Sequence, residues 1–219
     1  MQSITLDGPS AAPKSGAKPK QLIVFLHGYG SNGDDLISLA PYWADLLPDA
    51  EFVSPNAPFP CEQNPFGGYQ WFGLDDRNPA TKLAGTRAAA TILDAYLDQA
   101  LKSRGLDERK LALVGFSQGT MMSLHVGPRR ATAPAAIVGY SGALIGPDAL
   151  GAELKSKPPI LLVHGTGDQV VPFPAMGAAA QVLQALGVKV ETLARPGLPH
   201  SIDPEGLTRG GRFIQENFG

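Results

Sequence analysis

Five consecutive apolar residues, Leu22-Ile23-Val24-Phe25-Leu26, break the otherwise mixed pattern of hydrophobic and polar positions. A run without alternation is what a central strand covered on both faces requires. Further mainly apolar stretches recur at residues 110–114, 135–140 and 160–163, and each reads as another strand. Glu51-Phe52-Val53 reads as a short strand, and residues 188–193 alternate as a late one. Ile4 and Leu6 alternate with polar neighbours and suggest an edge strand, with residues 8–20 as a connector. Helical spacing predicts helices over 34–47, 81–103, 118–126 and 174–186. Pro41 must bend or split the first of these, and Gly105 stops the second. Asp203 is placed to cap a last helix that opens with Pro204. Gly210 and Gly211 weaken that helix by ~1 kcal/mol each relative to Ala, and the sequence offers no account of them. Residues 55–79 form a long loop rich in Pro, Gly and aromatics; a loop of that length inside a compact domain is usually functional. Ser141-Gly142 and the residues after them also read as loop.

Strands alternating with helices imply an α/β fold built on a mostly parallel, doubly wound sheet. Residues 1–219 read as one domain, with 1–20 as edge strand and connector and no spare segment for a cap domain. Composition adds little: 43% hydrophobic and 17% charged residues are ordinary for a globular protein. A net charge of −2 gives no reason to expect nucleic acid as a partner, and Lys14, Lys18 and Lys20 read as a solvated linker. The single cysteine, Cys61, excludes an internal disulfide and a Cys-x-x-Cys zinc site. It reads as a bystander thiol. No secretory h-region opens the chain, and no apolar run approaches the ~20 residues of a membrane span. The expectation is a cytoplasmic protein without stable membrane insertion.

The chemistry centres on Gly115-Phe116-Ser117-Gln118-Gly119, between a predicted strand and a predicted helix. A Ser between two glycines at such a turn is the nucleophile-elbow pattern. The turn strains the Ser backbone, lifts Oγ into the open and points the helix N-terminus at the place where negative charge develops. An activated Ser needs a base, and the base needs a carboxylate behind it. In the order the elbow fold expects, Ser then acid then His, the acid is Asp168, with Asp148 and Asp203 as competitors, and the base is His200. His27 and His164 also end strands, but precede their required partners, so both read as hydrogen-bonded structural residues; His125, about two helical turns beyond Ser117, reads as pointing away into packing or solvent. Two backbone donors are needed for the oxyanion: Gln118, after the nucleophile, and Tyr29, on the loop after an early strand. Phe59, Phe66, Tyr69, Trp71 and Phe72 are candidates for an apolar substrate wall.

Together, Phe25-Leu26-His27-Gly28-Tyr29-Gly30, Pro55-Asn56-Ala57-Pro58, Trp71-Phe72, the elbow, His164-Gly165-Thr166-Gly167-Asp168 with Val171-Pro172, and Gly197 with His200 resemble the phospholipase/carboxylesterase family of small α/β-hydrolases. The resemblance implies the α/β-hydrolase fold, Ser117, Asp168 and His200 as the triad, Tyr29 and Gln118 as oxyanion donors, and a substrate groove bordered by the Trp71 region. It implies a carboxylesterase needing no metal or organic cofactor. The Gly-rich stretch 64–69 departs from the eukaryotic thioesterases and favours a bacterial esterase with small-molecule substrates; with no cap domain the groove should be open, and short to medium acyl chains are expected. A thioesterase or lysophospholipase would share the same residues, and a non-catalytic binding protein is the reading from a different class. A homodimer is left open.

Overall fold

The protein is seen in a computed structural model, described over residues 5–61, 63–64, 67–76 and 78–218. Its first half carries β1 (Ser10–Ala11), β2 (Gln21–Leu26), α1 (Gly33–Ile37), α2 (Ala40–Trp43), β3 (Ala50–Val53), β4 (Phe59–Pro60), β5 (Tyr69–Gln70) and α3 (Pro79–Arg104). The second half continues with β6 (Leu111–Phe116), α4 (Gln118–Val126), β7 (Ala136–Tyr140), α5 (Pro147–Glu153), β8 (Ile160–Gly165), α6 (Pro174–Ala185), β9 (Val190–Arg195) and α7 (Pro204–Asn217).

Seven strands form the main sheet in the order β1-β3-β2-β6-β7-β8-β9. Only β1 runs antiparallel. The order explains the unbroken run at 22–26. Leu22, Val24 and Leu26 enter a core shared with α3, α4 and α6, whereas Ile23 and Phe25 enter a second core shared with α1, α2 and α7. Each residue of β2 after Gln21 is buried because both faces are covered. After β2 the chain goes to β3 on one side and returns to β6 on the other. The gap between the carboxyl ends of β2 and β6 is therefore a topological switch point, where open α/β sheets bind ligands.

Several expectations need correction. The edge strand is Ser10–Ala11, inside the stretch read as connector; it pairs through its backbone with Val53 and Phe52. Ile4 lies outside the described residues, and Leu6 is buried without joining a strand. Pro41 does split the helix expected over 34–47: α1 ends at Ile37 and α2 opens at Ala40 with the proline in its first turn. The loop after β7 contains α5, and the aromatic loop contains the β4–β5 hairpin.

The two glycines of α7 also find their reason. A Cβ on Gly210 would stand 2.0 Å from the Tyr140 hydroxyl, and one on Gly211 would stand 2.7 Å from the Trp43 ring. Trp43 Nε1 donates to Leu207 O at 2.9 Å, and the Tyr140 hydroxyl donates to Gly206 O at 3.1 Å. Bare backbone lets α7 settle on these two large side chains, and Asp203 caps it through Gly206 N at 3.0 Å. That seating fixes where the turn before α7 lies. Among the described residues no helix is long and apolar enough to cross a membrane.

Candidate active site

Ser117 follows β6 directly and sits at φ 53, ψ −114, a region that costs a side-chain-bearing residue ~1–3 kcal/mol. The neighbours leave no alternative. A Cβ on Gly119 would stand 1.7 Å from Leu26 O, and one on Gly115 would stand 2.3 Å from Thr120 N. Thr120, which sequence reasoning did not single out, closes the turn from inside. Its hydroxyl lies 2.8 Å from both Gly115 O and Tyr140 O, and Ser117 N–H donates to the same Tyr140 carbonyl at 2.9 Å. Strand β7 thus holds the elbow down while Gln118 opens α4. Among the described residues no hydrogen bond engages Ser117 Oγ or the Gln118 N–H.

The loop after β8 carries Asp168 and the turn after β9 carries His200. These strands are adjacent, paired from Ile160↔Val190 to Gly165↔Arg195, so the two loops leave the sheet side by side. His200 Nδ1 lies 2.7 Å from Asp168 Oδ2. The other oxygen, Oδ1, accepts from Val170 N and Val171 N at 2.9 Å each. Burial works to raise the Asp168 pKa, but the His200 contact and the two backbone donors outweigh it and hold the carboxyl below the usual range. His164 contributes a further contact: its Nε2 lies 2.8 Å from Val171 O and 3.2 Å from Asp168 Oδ2. With Nδ1 committed to Asp168, His200 Nε2 is the nitrogen left to act as a base. The ring stands over Phe116, the residue before Ser117, with centroids 4.8 Å apart. Among the described residues no direct hydrogen bond joins His200 to Ser117; catalytic contacts of this kind tighten in the Michaelis complex.

The loop after β2, residues 27–30, lies against the elbow, and a Cβ on Gly28 would stand 3.4 Å from Ser117 Cβ. Its Tyr29 N–H makes no hydrogen bond among the described residues. The β4–β5 hairpin braces this loop: Gly30 N donates to Tyr69 O at 2.9 Å, Tyr69 N to Ser31 O at 2.7 Å, and Asn64 Nδ2 to Gly30 O at 2.7 Å. Among the described residues the N–H groups of Tyr29 and Gln118 thus make no hydrogen bond, and the segments that carry them meet at the serine.

The aromatic residues divide. Trp71 and Phe72 are only 0% and 2% exposed, so the expectation that they line a substrate wall is corrected: they anchor. Trp71 Nε1 donates to His27 O at 3.0 Å, Trp71 N donates to Gln118 Oε1 at 2.9 Å, and Gln118 Nε2 donates to Phe72 O at 2.7 Å. The Gln118 side chain is thus a staple for the aromatic loop, a role the motif did not reveal. Tyr69 remains half-buried on the hairpin, and Phe66 lies outside the described residues. Trp71→Phe is expected to lower stability by about 1–3 kcal/mol, through the lost donor and the space left behind. Relative rates across acyl lengths should stay unchanged. Calorimetry and kcat/KM ratios check both; a shifted acyl preference with an unaltered Tm would return Trp71 to the wall.

Comparison with known proteins places the fold in a family. The phospholipase/carboxylesterase family profile matches residues 10–218. Acyl-protein thioesterase 1 of Schizosaccharomyces pombe is 30% identical over 90% of this chain and 91% of its own length. Esterase YpfH of Escherichia coli is 28% identical over 86% and 79% respectively. The crystal structure of esterase PE8 superposes with a TM-score of 0.93 at 42% identity, covering 98% of this chain and 100% of that one. With an elbow serine, a His–Asp pair and a profile match over almost its whole length, the chain belongs to the phospholipase/carboxylesterase family and has the α/β-hydrolase fold.

Proposed function

We propose that the protein is a serine esterase that hydrolyses carboxylic esters of short to medium acyl chains through an acyl-enzyme. Ser117 Oγ attacks the ester carbonyl carbon as His200 Nε2 takes its proton, and Asp168 stabilises the resulting imidazolium. The carbonyl oxygen becomes an oxyanion held by the Tyr29 and Gln118 N–H groups. When the intermediate collapses, the carbonyl–alkoxy bond breaks and the alcohol leaves with the proton from His200. A water then attacks the acyl-enzyme with His200 as base, the bond to Ser117 breaks, and Oγ recovers its proton. The observation that carries this reading is the 2.7 Å contact between His200 Nδ1 and Asp168 Oδ2, in a ring packed at a tilt against Phe116 of the elbow.

Acyl-thioester hydrolysis is the second reading, favoured by the name of the Schizosaccharomyces pombe relative. The same residues would serve it. A panel of p-nitrophenyl esters from acetate to palmitate, an acyl-thioester and a lysophospholipid separates the alternatives. Highest kcat/KM on the short and medium esters is expected. A sharp optimum at long chains, or a preference of about tenfold (~1.4 kcal/mol) for the thioester or lysolipid, would replace the carboxylesterase reading.

A further inference from the structure

His27 is fully buried and uses both ring nitrogens. Nδ1 lies 2.8 Å from Gly28 O, and Nε2 lies 2.9 Å from Ala57 N. These partners admit one tautomer. A carbonyl oxygen can only accept, so Nδ1 carries the proton; a backbone N–H can only donate, so Nε2 carries the lone pair. The ring is therefore neutral and cannot serve as a proton shuttle. Burial also holds its pKa below the ordinary histidine value, against smaller opposing effects from the Gly28 bond and Asp35.

The Gly28 carbonyl belongs to the same peptide unit as the Tyr29 N–H. A trans peptide is planar, with C=O and N–H pointing in opposite directions. Whatever grips Gly28 O therefore aims Tyr29 N–H. Two donors grip it: His27 Nδ1, and Ser31 N at 3.2 Å. The hairpin bonds described above act on Gly30 and Ser31, one peptide further on, and do not set this plane. Trp71 adds a cross-link, since its indole donates to His27 O while its backbone N–H donates to Gln118 Oε1. The residues carrying the two oxyanion donors are thus registered to each other through buried side chains.

We infer that His27 is a positioning residue: its Nδ1–H orients the Gly28–Tyr29 peptide so that the Tyr29 N–H faces the transition-state oxyanion. The inference rests on the esterase reading above and specifies how one of its donors is held.

Two substitutions separate the halves of the ring. His27→Asn keeps a short donor able to reach Gly28 O and gives up the Ala57 contact. His27→Gln can accept from Ala57 N and gives up Gly28. His27→Gln should lose about 10²–10³ in kcat, the size of effect that follows loss of one oxyanion donor, with KM little changed. His27→Asn should stay within about tenfold of wild type. Affinity for a boronic acid, which forms a tetrahedral adduct on the serine, should fall in proportion to kcat/KM. Equal losses in both variants that track Tm, or a reversed order, would overturn the inference. Should either variant fail to fold, the wild-type protein still decides. The His27 Nδ1–H proton resonance should move when the boronic acid binds, and an unmoved resonance would count against the inference. Wild-type protein that neither turns over esters nor reacts with the boronic acid would instead remove the esterase reading, and this inference with it.

Discussion

Ser117→Ala should lower kcat on a short-chain ester on the order of 10⁴-fold or more, with KM and Tm close to wild type. The size follows from what is removed. Without Oγ no acyl-enzyme forms, and only the oxyanion donors and substrate positioning remain to help water attack directly. The small stability effect follows from the surroundings, because among the described residues no hydrogen bond engages Ser117 Oγ and Ala carries the same backbone penalty at φ 53. Ser117→Gly separates strain from chemistry. It should be equally inactive but more stable than the Ala variant by roughly 1 kcal/mol, because glycine adopts a positive φ without steric cost. Steady-state kinetics with calorimetry on the three proteins measures both effects. An Ala variant retaining most of its turnover would remove Ser117 from the mechanism, and a Gly variant no more stable would remove the strain argument.

The second large effect is expected at Asp168→Asn, with kcat reduced on the order of 10⁴-fold. The amide is isosteric but cannot satisfy every partner of the carboxylate. One oxygen of Asp168 faces His200 Nδ1, and the other accepts from Val170 N and Val171 N. An amide NH₂ must therefore point either at the imidazole or at two backbone donors. Turned toward His200, it selects the tautomer with the proton on Nε2, where a base is needed. Turned toward the loop, it pushes Val170 and Val171 away and moves the side chain. The same substitution changes the acid response. Since the native carboxyl titrates below its unfolded counterpart, its contribution to stability is fully present above the unfolded pKa. That contribution is lost as pH falls through the lower native value. The Tm of Asp168→Asn should accordingly fall less steeply than that of wild type between about pH 5 and about pH 2. Parallel curves would mean that the carboxylate has no favourable native environment.

The elements legible in the sequence are those whose side chains decide their structure. Buried strands such as β2 and β8 announce themselves by continuous apolar runs, and the elbow by glycines whose neighbours tolerate no Cβ. Elements held by backbone contacts left no such mark. Strand β1 is two residues long and pairs with β3 across a Ser-Ala segment of no distinctive pattern. Helix α5 buries only Leu150 among its seven residues and starts at a left-handed Gly146, so it has no apolar stripe to count. At the site, motif and chain order singled out Asp168 and His200, which the structure brings together. They could not distinguish an aromatic that faces a groove from one that anchors a loop, and Trp71 and Phe72 proved to be anchors. Nor could they expose Thr120 or the Gln118 amide, whose partners Tyr140, Trp71 and Phe72 come from other parts of the chain.

Peptide mass spectrometry after reaction with a fluorophosphonate tests the central claim most directly. The expected result is a single covalent adduct on Ser117, absent from Ser117→Ala and formed far more slowly in His200→Ala. An adduct on Ser141, which among the described residues also has a positive φ, or labelling of Ser117 at an undiminished rate without His200, would contradict it.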